Sequence, residues 1–215
     1  IGDPIVRFKQ DPVRMIRLVK FQARFDFKVE EKCQAALIEC VDEIEKSSPA
    51  RILEEILRML ESGSAATFFE LMDESGMLEL LFPCLTHFLD TDQGDRVFDF
   101  LDQADVVNKR NSKRPLDRDV LASCLLFPIL EQEIKKQFLD KGKTPHITDI
   151  ILLTGAIVQG FVTSSFATFT KRMTAGVGFI LSTQYRFTPF SGKRHPQPRL
   201  IRCKEFPMAL QFLRL

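Results

Sequence analysis

The stretch richest in chemistry is QDPVRMIRLVKFQARF, residues 10–25. Asp11 and Arg14 stand three apart there, a spacing that makes side chains neighbours at the start of a helix. A carboxylate accepts hydrogen bonds, whereas a guanidinium only donates them. Held in one plane, the pair matches a nucleobase edge that offers an amino donor beside a ring-nitrogen acceptor. Adenine and cytosine present that order. Guanine and uracil present the reverse, and each would meet two mismatches costing about 1–3 kcal/mol apiece when buried. The same spacing also suits an N-cap with an ion pair on a solvated basic face. Spacing alone leaves both readings open.

A helix has to position this pair. Asp11 is a good N-cap type, and Pro12 suits the first helical position, where a missing N–H costs nothing. At about 100° per residue, Arg14, Arg17, Lys20 and Arg24 share roughly a third of the circumference. Ile16, Val19 and Ala23 gather elsewhere and can face a core. Helical periodicity continues along the chain, with helices expected at 11–25, 30–45, 49–62, 64–74, 95–109, 117–139, 148–167, 169–186 and from 205. Ser48-Pro49 reads as an N-cap with Pro at N1, and Gly63 as a helix stop. Residues 108–118 are polar and basic and read as a loop, as do 142–145 and 191–198. Strand alternation is nearly absent and no repeat occurs. The expected fold is all-α, an elongated multi-helix array.

Residues 150–170 carry no charge and could span a bilayer by length. Gln159, the Thr163–Ser165 cluster, Gly155 and Gly160 dilute that stretch, so it is read as a buried core helix with no membrane partner. Five cysteines, odd in number and without C-x-x-C spacing, suggest neither a disulfide framework nor a zinc site. His87, His146 and His195 are too scattered to mark a metal site, and no metal ligand set is assigned. A reducing, cytoplasmic setting fits this cysteine usage. Trp is absent while Phe reaches 20, which favours a Phe-rich helical core; aromatic stacking on RNA is a second reading of the same count. The formal charge of +1 hides an asymmetry. Residues 169–215 hold nine Lys or Arg against Glu205 alone, and the rest hold 21 basic against 28 acidic side chains. Such a positive end suits a polyanion partner, and equally a solvated tail that balances an acidic body.

Three motifs together resemble the neck and body of class II nucleotidyltransferases. The first is Gly2-Asp3-Pro4, Arg7-Phe8, then Asp11-Pro12-Val13-Arg14-Met15-Ile16-Arg17 with Lys20-Phe21. The second, Ser48-Pro49-Ala50-Arg51 through Glu55 to Arg58, resembles the family's Arg-x-x-x-Glu helix. The third, residues 75–83 (SGMLELLFP), resembles the following body helix and its Pro stop. Weaker similarity continues through Lys171-Arg172 and Gly192-Lys193-Arg194 to Phe206. Within the family the bacterial poly(A) polymerases are nearer than the CCA-adding tRNA enzymes, a tilt that rests on Leu81-Phe82-Pro83.

The resemblance implies that Asp11 and Arg14 act as a protein template for the incoming base. Arg17, Lys20 or Arg24 would meet the triphosphate, and Gln10, Arg51 and Glu55 would brace the neck. Gln10 departs from the family's usual Glu and supplies no charge to orient Arg14. Lys171, Arg172, Lys193, Arg194, Arg199, Arg202 and Lys204 would hold RNA. The family's chemistry resides in a head with a Gly-Ser motif and an Asp-x-Asp metal pair, where metal ions assist in-line displacement. That combination is missing here. Asp90-Thr91-Asp92 has the spacing but lies far downstream, and reads as a loop that caps the next helix at Asp92. Gly176-Val-Gly178 is no phosphate loop, lacking a third Gly and a preceding strand. The chain opens at Ile1 on residues that would lead out of a head, so it reads as a fragment without catalytic residues. The expected division is 1–10 end of the head-to-neck linker, 11–108 neck and start of body, 109–168 body, and 169–215 basic partial tail. For the parent, the resemblance implies polynucleotide adenylyltransferase activity, with ATP as substrate, Mg2+ bound by the head, and the 3′ end of mRNA or another transcript as partner. A CCA-adding enzyme acting on tRNA is the alternative, since one Asp–Arg template reads adenine and cytosine alike. A non-catalytic helical RNA-binding or interaction module is the third possibility.

Overall fold

The computed structural model describes residues 2–188 and 198–215. Every regular element among them is helical, so the protein is an all-α multi-helix array. Helix α1 (Pro4–Gln10) occupies the stretch read as linker, and α2 (Val13–Phe25) follows after two residues. Helix α3 (Glu31–Glu39) ends early and a 3₁₀ segment, Val41–Lys46, completes the region expected as one helix. Helices α4 (Pro49–Leu60) and α5 (Ala65–Glu74) flank Gly63, whose φ of 78° is the left-handed turn expected there. Ser48 does occupy the N-cap of α4, although its hydroxyl makes no capping bond.

Helix α6 (Met77–Leu81) is short, and Pro83 then starts α7 (Pro83–Leu89), which the sequence pattern did not announce. Helix α8 (Asp95–Arg110) begins one residue after Gly94, not at Asp92. The expected Asp92 cap is therefore corrected. The reason is steric: a Cβ at position 94 would collide with the Leu89 carbonyl, so glycine alone lets the chain re-enter a helix here. Asn108, expected in a loop, is buried near the end of α8. It donates to the Leu60 carbonyl at 3.0 Å and accepts from the Leu116 N–H at 2.8 Å. One amide thus ties off the C-terminus of α4 and fixes the loop before α9 (Arg118–Gln137).

Helix α9 is the hub. Its residues Val120 to Leu126 are all buried, and it packs against α4, α7, α8, α10 (Ile147–Ser164), α11 (Lys171–Phe187) and α13 (Phe206–Leu213). The short α12 (Pro198–Ile201) precedes α13. Gly176 lets α11 approach α9, because a Cβ there would strike the Asp119 carboxylate.

Helix α10 corrects the expectation of a buried core helix. Only Ile150, Thr154, Val158 and Phe161 are buried, a stripe at steps of four, four and three residues that faces the hub, while Ile151 and Leu152 stay exposed. By length and composition it is apolar enough to cross a membrane, and 22% of that span is buried inside the protein.

Candidate nucleic-acid interface

Helix α2 is anchored by Val13, Met15, Ile16 and Val19, all buried against α4 and α5. Ala23 is only partly buried, at the edge of the same face. This anchoring turns the cationic side of α2 toward α4.

The N-cap assigned to Asp11 does not form. Pro12 takes the cap position with no side-chain bond, and the helix tightens through i,i+3 backbone bonds, Arg14 N–H to Asp11 C=O at 3.0 Å and Met15 N–H to Pro12 C=O at 2.9 Å. The Asp11 carboxylate is turned to two arginines instead. One oxygen accepts from Arg51 Nη2 at 3.3 Å, and the other lies 3.7 Å from Arg14 Nε. The second distance is an ion pair, not a hydrogen bond, so it uses none of the five N–H donors of Arg14. An ionised carboxylate has about four lone-pair sites. Asp11 can therefore keep Arg51 and still accept from a ligand. Its side chain is 25% exposed and that of Arg14 38%, so both are reachable from solvent.

Glu55 organises the other cations. It is buried, one turn along α4 from Arg51, and accepts from Arg17 Nε and Lys20 Nζ at 3.0 Å each. Burial alone would push its carboxyl up, but the hydrogen bonds from Lys20 and Arg17 outweigh it and hold the group below the usual range. Two cations against one carboxylate leave this edge of α2 positive. Arg24 stands apart, its guanidinium 5.2 Å from the centre of the Phe25 ring. Gln10 is exposed at the last position of α1.

Of the expected neck braces Gln10, Arg51 and Glu55, Glu55 holds Arg17 and Lys20 of α2 and Arg51 faces Asp11 just before it.

The basic segment lies close by. Lys171 and Arg172 are exposed at the start of α11, and Arg199, Arg202 and Lys204 are exposed around α12. Lys193 and Arg194 lie outside the described residues. Arg172 and Lys204 line a cleft of about 1130 Å³ whose opposite wall includes Ala50, Glu54 and Glu61. The cleft sets this basic segment across from α4, whose Arg51 faces Asp11. Asp119, in the same cleft, is pushed up to about 6 by burial and by Asp117.

Sequence reasoning missed the clamp that fixes this arrangement. Arg118 bonds Glu61 at 2.7 Å and Glu54 at 2.8 Å, joining α9 to α4. Asp105 was missed as well; its carboxylate accepts from the Ala65 and Ala66 N–H groups at 2.9 and 3.0 Å and caps α5 from α8. Neither has a local sequence signal. The aromatic run at the end of α2 had one, since Phe21 and Phe25 are four apart and Phe27 follows.

Comparison with known proteins adds a family. Residues 26–89 match the model described as "Probable RNA and SrmB- binding site of polymerase A". Poly(A) polymerase I of Haemophilus influenzae is 34% identical over 88 residues, 41% of this chain and 20% of that protein. Poly(A) polymerase I of Escherichia coli O6:H1 is 28% identical over 198 residues, 90% of this chain and 42% of that protein. The multifunctional CCA protein of Thioalkalivibrio sulfidiphilus is 40% identical over 81 residues, 35% of this chain and 20% of that protein. The chain spans less than half the length of these relatives. Over these spans the chain is similar to bacterial poly(A) polymerases and, over a shorter stretch, to CCA-adding enzymes.

Proposed function

We propose that this chain is the nucleotide-selecting and RNA-binding part of a template-independent RNA nucleotidyltransferase that adds AMP from ATP to RNA 3′ ends. The observation that carries the reading is the Asp11 carboxylate, turned away from capping and set beside Arg14 and Arg51 at solvent-reachable positions. Asp11 accepts from the adenine amino group while Arg14 donates to the adjacent ring nitrogen. Arg17 and Lys20, held in place by Glu55, face the triphosphate, and Arg24 adds charge one turn on. The segment from Lys171 to Lys204 holds the RNA backbone. Its approach to α4 across the cleft supports this, since primer and nucleotide must meet.

Among the described residues no group of three His, Cys, Asp or Glu side chains is placed to hold a metal ion. These residues do not fit a divalent-metal site, and no step here runs through Mg2+. On this reading the metal-dependent transfer belongs to a different segment, and the 215-residue chain by itself extends no primer.

Addition to tRNA by a CCA-adding enzyme is the second reading, because the same pair accepts cytosine. The extent of the matches favours poly(A) addition: the polymerase similarity runs over 90% of the chain and the CCA similarity over 35%. A labelled oligoadenylate titrated at two salt concentrations tests the RNA-binding half. Affinity should fall steeply with salt, with a slope of about −0.7 per phosphate neutralised. Lys193→Glu with Arg194→Glu should weaken all RNA sequences alike and flatten the slope, since phosphate contacts position a strand without reading it. Unchanged affinity and slope would mean that the segment is a solvated surface.

A further inference from the structure

Among the described Phe and Tyr side chains, Phe21, Phe25 and Phe27 are the exposed ones. Phe21, Phe25 and Phe27 are 48%, 49% and 59% exposed, and they lie against one another. The Phe21 and Phe25 centroids are 6.1 Å apart with planes 18° from parallel, and Phe25 and Phe27 are 5.3 Å apart at 27°. The backbone is bent to make this ladder. Helix α2 ends at Asp26, whose φ of 52° is the one positive value among described non-glycine residues, and that left-handed residue brings Phe27 back over Phe25. Asp tolerates this conformation better than most side chains.

We propose that Phe21, Phe25 and Phe27 form a stacking platform for bases of a single-stranded RNA. Near-parallel rings with exposed faces are the arrangement on which planar bases continue a stack, and every base has a π-face, so the contact tolerates sequence. The surroundings favour a polyanion that carries rings over a purely apolar partner. Arg24 lies over Phe25 at 5.2 Å, Lys28 follows the ladder, and both are exposed; Asp26 is the one acid inside the run. Arg24 therefore has two roles open to it, a phosphate contact and a cation over a ring that is itself stacked on a base.

This inference rests on the RNA-binding reading above, and the experiment separates the two. An oligoadenylate carrying 2-aminopurine is titrated into the 215-residue chain, its Phe25→Leu/Phe27→Leu variant, and a Phe21→Leu variant. Leucine keeps an apolar side chain of similar bulk but offers no ring face. Base–aromatic stacking contributes about 1–3 kcal/mol per base, about five- to 150-fold in affinity. The double variant should bind at least tenfold more weakly and lose the fluorescence quenching that stacking causes. Its salt slope should not change, because no charge is removed. Far-ultraviolet circular dichroism should be unaltered, as the rings are outside the core. If wild type binds and the double variant binds equally with full quenching, the platform is wrong and the ladder is a docking surface for protein. If wild type itself binds no RNA, the RNA-binding reading falls first, and the platform with it.

Discussion

The dipeptide Asp-Pro occurs twice in the first twelve residues, and the protein uses it in two different ways. At Asp3-Pro4 it makes a helix start. The Asp3 carboxylate accepts from the Ile5 N–H at 2.9 Å and Pro4 is the first residue of α1. At Asp11-Pro12 the same residues precede α2, but the carboxylate leaves the backbone for Arg51 and Arg14. The difference lies in what stands opposite. No cation pairs with Asp3 in the described ion pairs, whereas α4 presents Arg51 to Asp11. A capping carboxylate is turned toward its own backbone. A carboxylate held by long side chains keeps lone pairs for a ligand. Asp3 thus serves its own helix, and Asp11 is partly exposed between two arginines.

The strongest way to break this contrast is to remove what holds α2 against α4. Glu55→Gln leaves Lys20 and Arg17 without their carboxylate. Truncating one partner of a buried pair costs about 3–5 kcal/mol, and the lower end is expected because the Arg17 side chain is 46% exposed. Urea melts should show the loss at neutral pH. The Glu55 carboxyl is held below its ordinary value in the folded state, so its contribution is complete above the unfolded value of 4.5 and disappears as pH falls through the folded one. Wild type and variant should therefore converge in acid. A difference that persists there would assign the effect to packing.

A smaller effect sharpens the contrast itself. Asp3→Ala should cost about 1 kcal/mol of stability, the usual loss for an N-cap. Asp11→Ala should cost less than about 0.5 kcal/mol, since exposed ion pairs contribute little. Equal losses at the two positions would mean that Asp11 is a structural cap like Asp3. Comparing the two melts side by side decides it.

Much of the helical layout was legible because it is written in local periodicity and punctuation. Ile16 and Val19 face the core as their spacing demands, and Gly63 stops α4 where its freedom to take positive φ is needed. Helix α1 was missed although Asp3-Pro4 carries the same signal as Asp11-Pro12; seven residues are too few for a periodic pattern to stand out. The site was legible only as residue types. Asp11, Arg14, Arg51 and Glu55 were singled out, but which carboxylate meets which cation depends on the angle between α2 and α4, and no window of sequence contains it. The same holds for Arg118, which reaches Glu54 and Glu61 from more than fifty residues away. For α10 the apolar composition suggested full burial, whereas one stripe alone is buried and Ile151 and Leu152 are exposed.

Base selection by Asp11 and Arg14 is best tested by the ratio of ATP to GTP incorporation in a full-length protein that contains this chain. If Arg14 donates to the base, Arg14→Ala should cost a charged hydrogen bond, about 1.5–3 kcal/mol, or about ten- to a hundredfold in kcat/KM for ATP. Discrimination against GTP should collapse in the same variant, while its urea midpoint stays near that of wild type. An Arg14→Ala protein that keeps its preference for ATP would contradict base reading and return Asp11 and Arg14 to a surface ion pair.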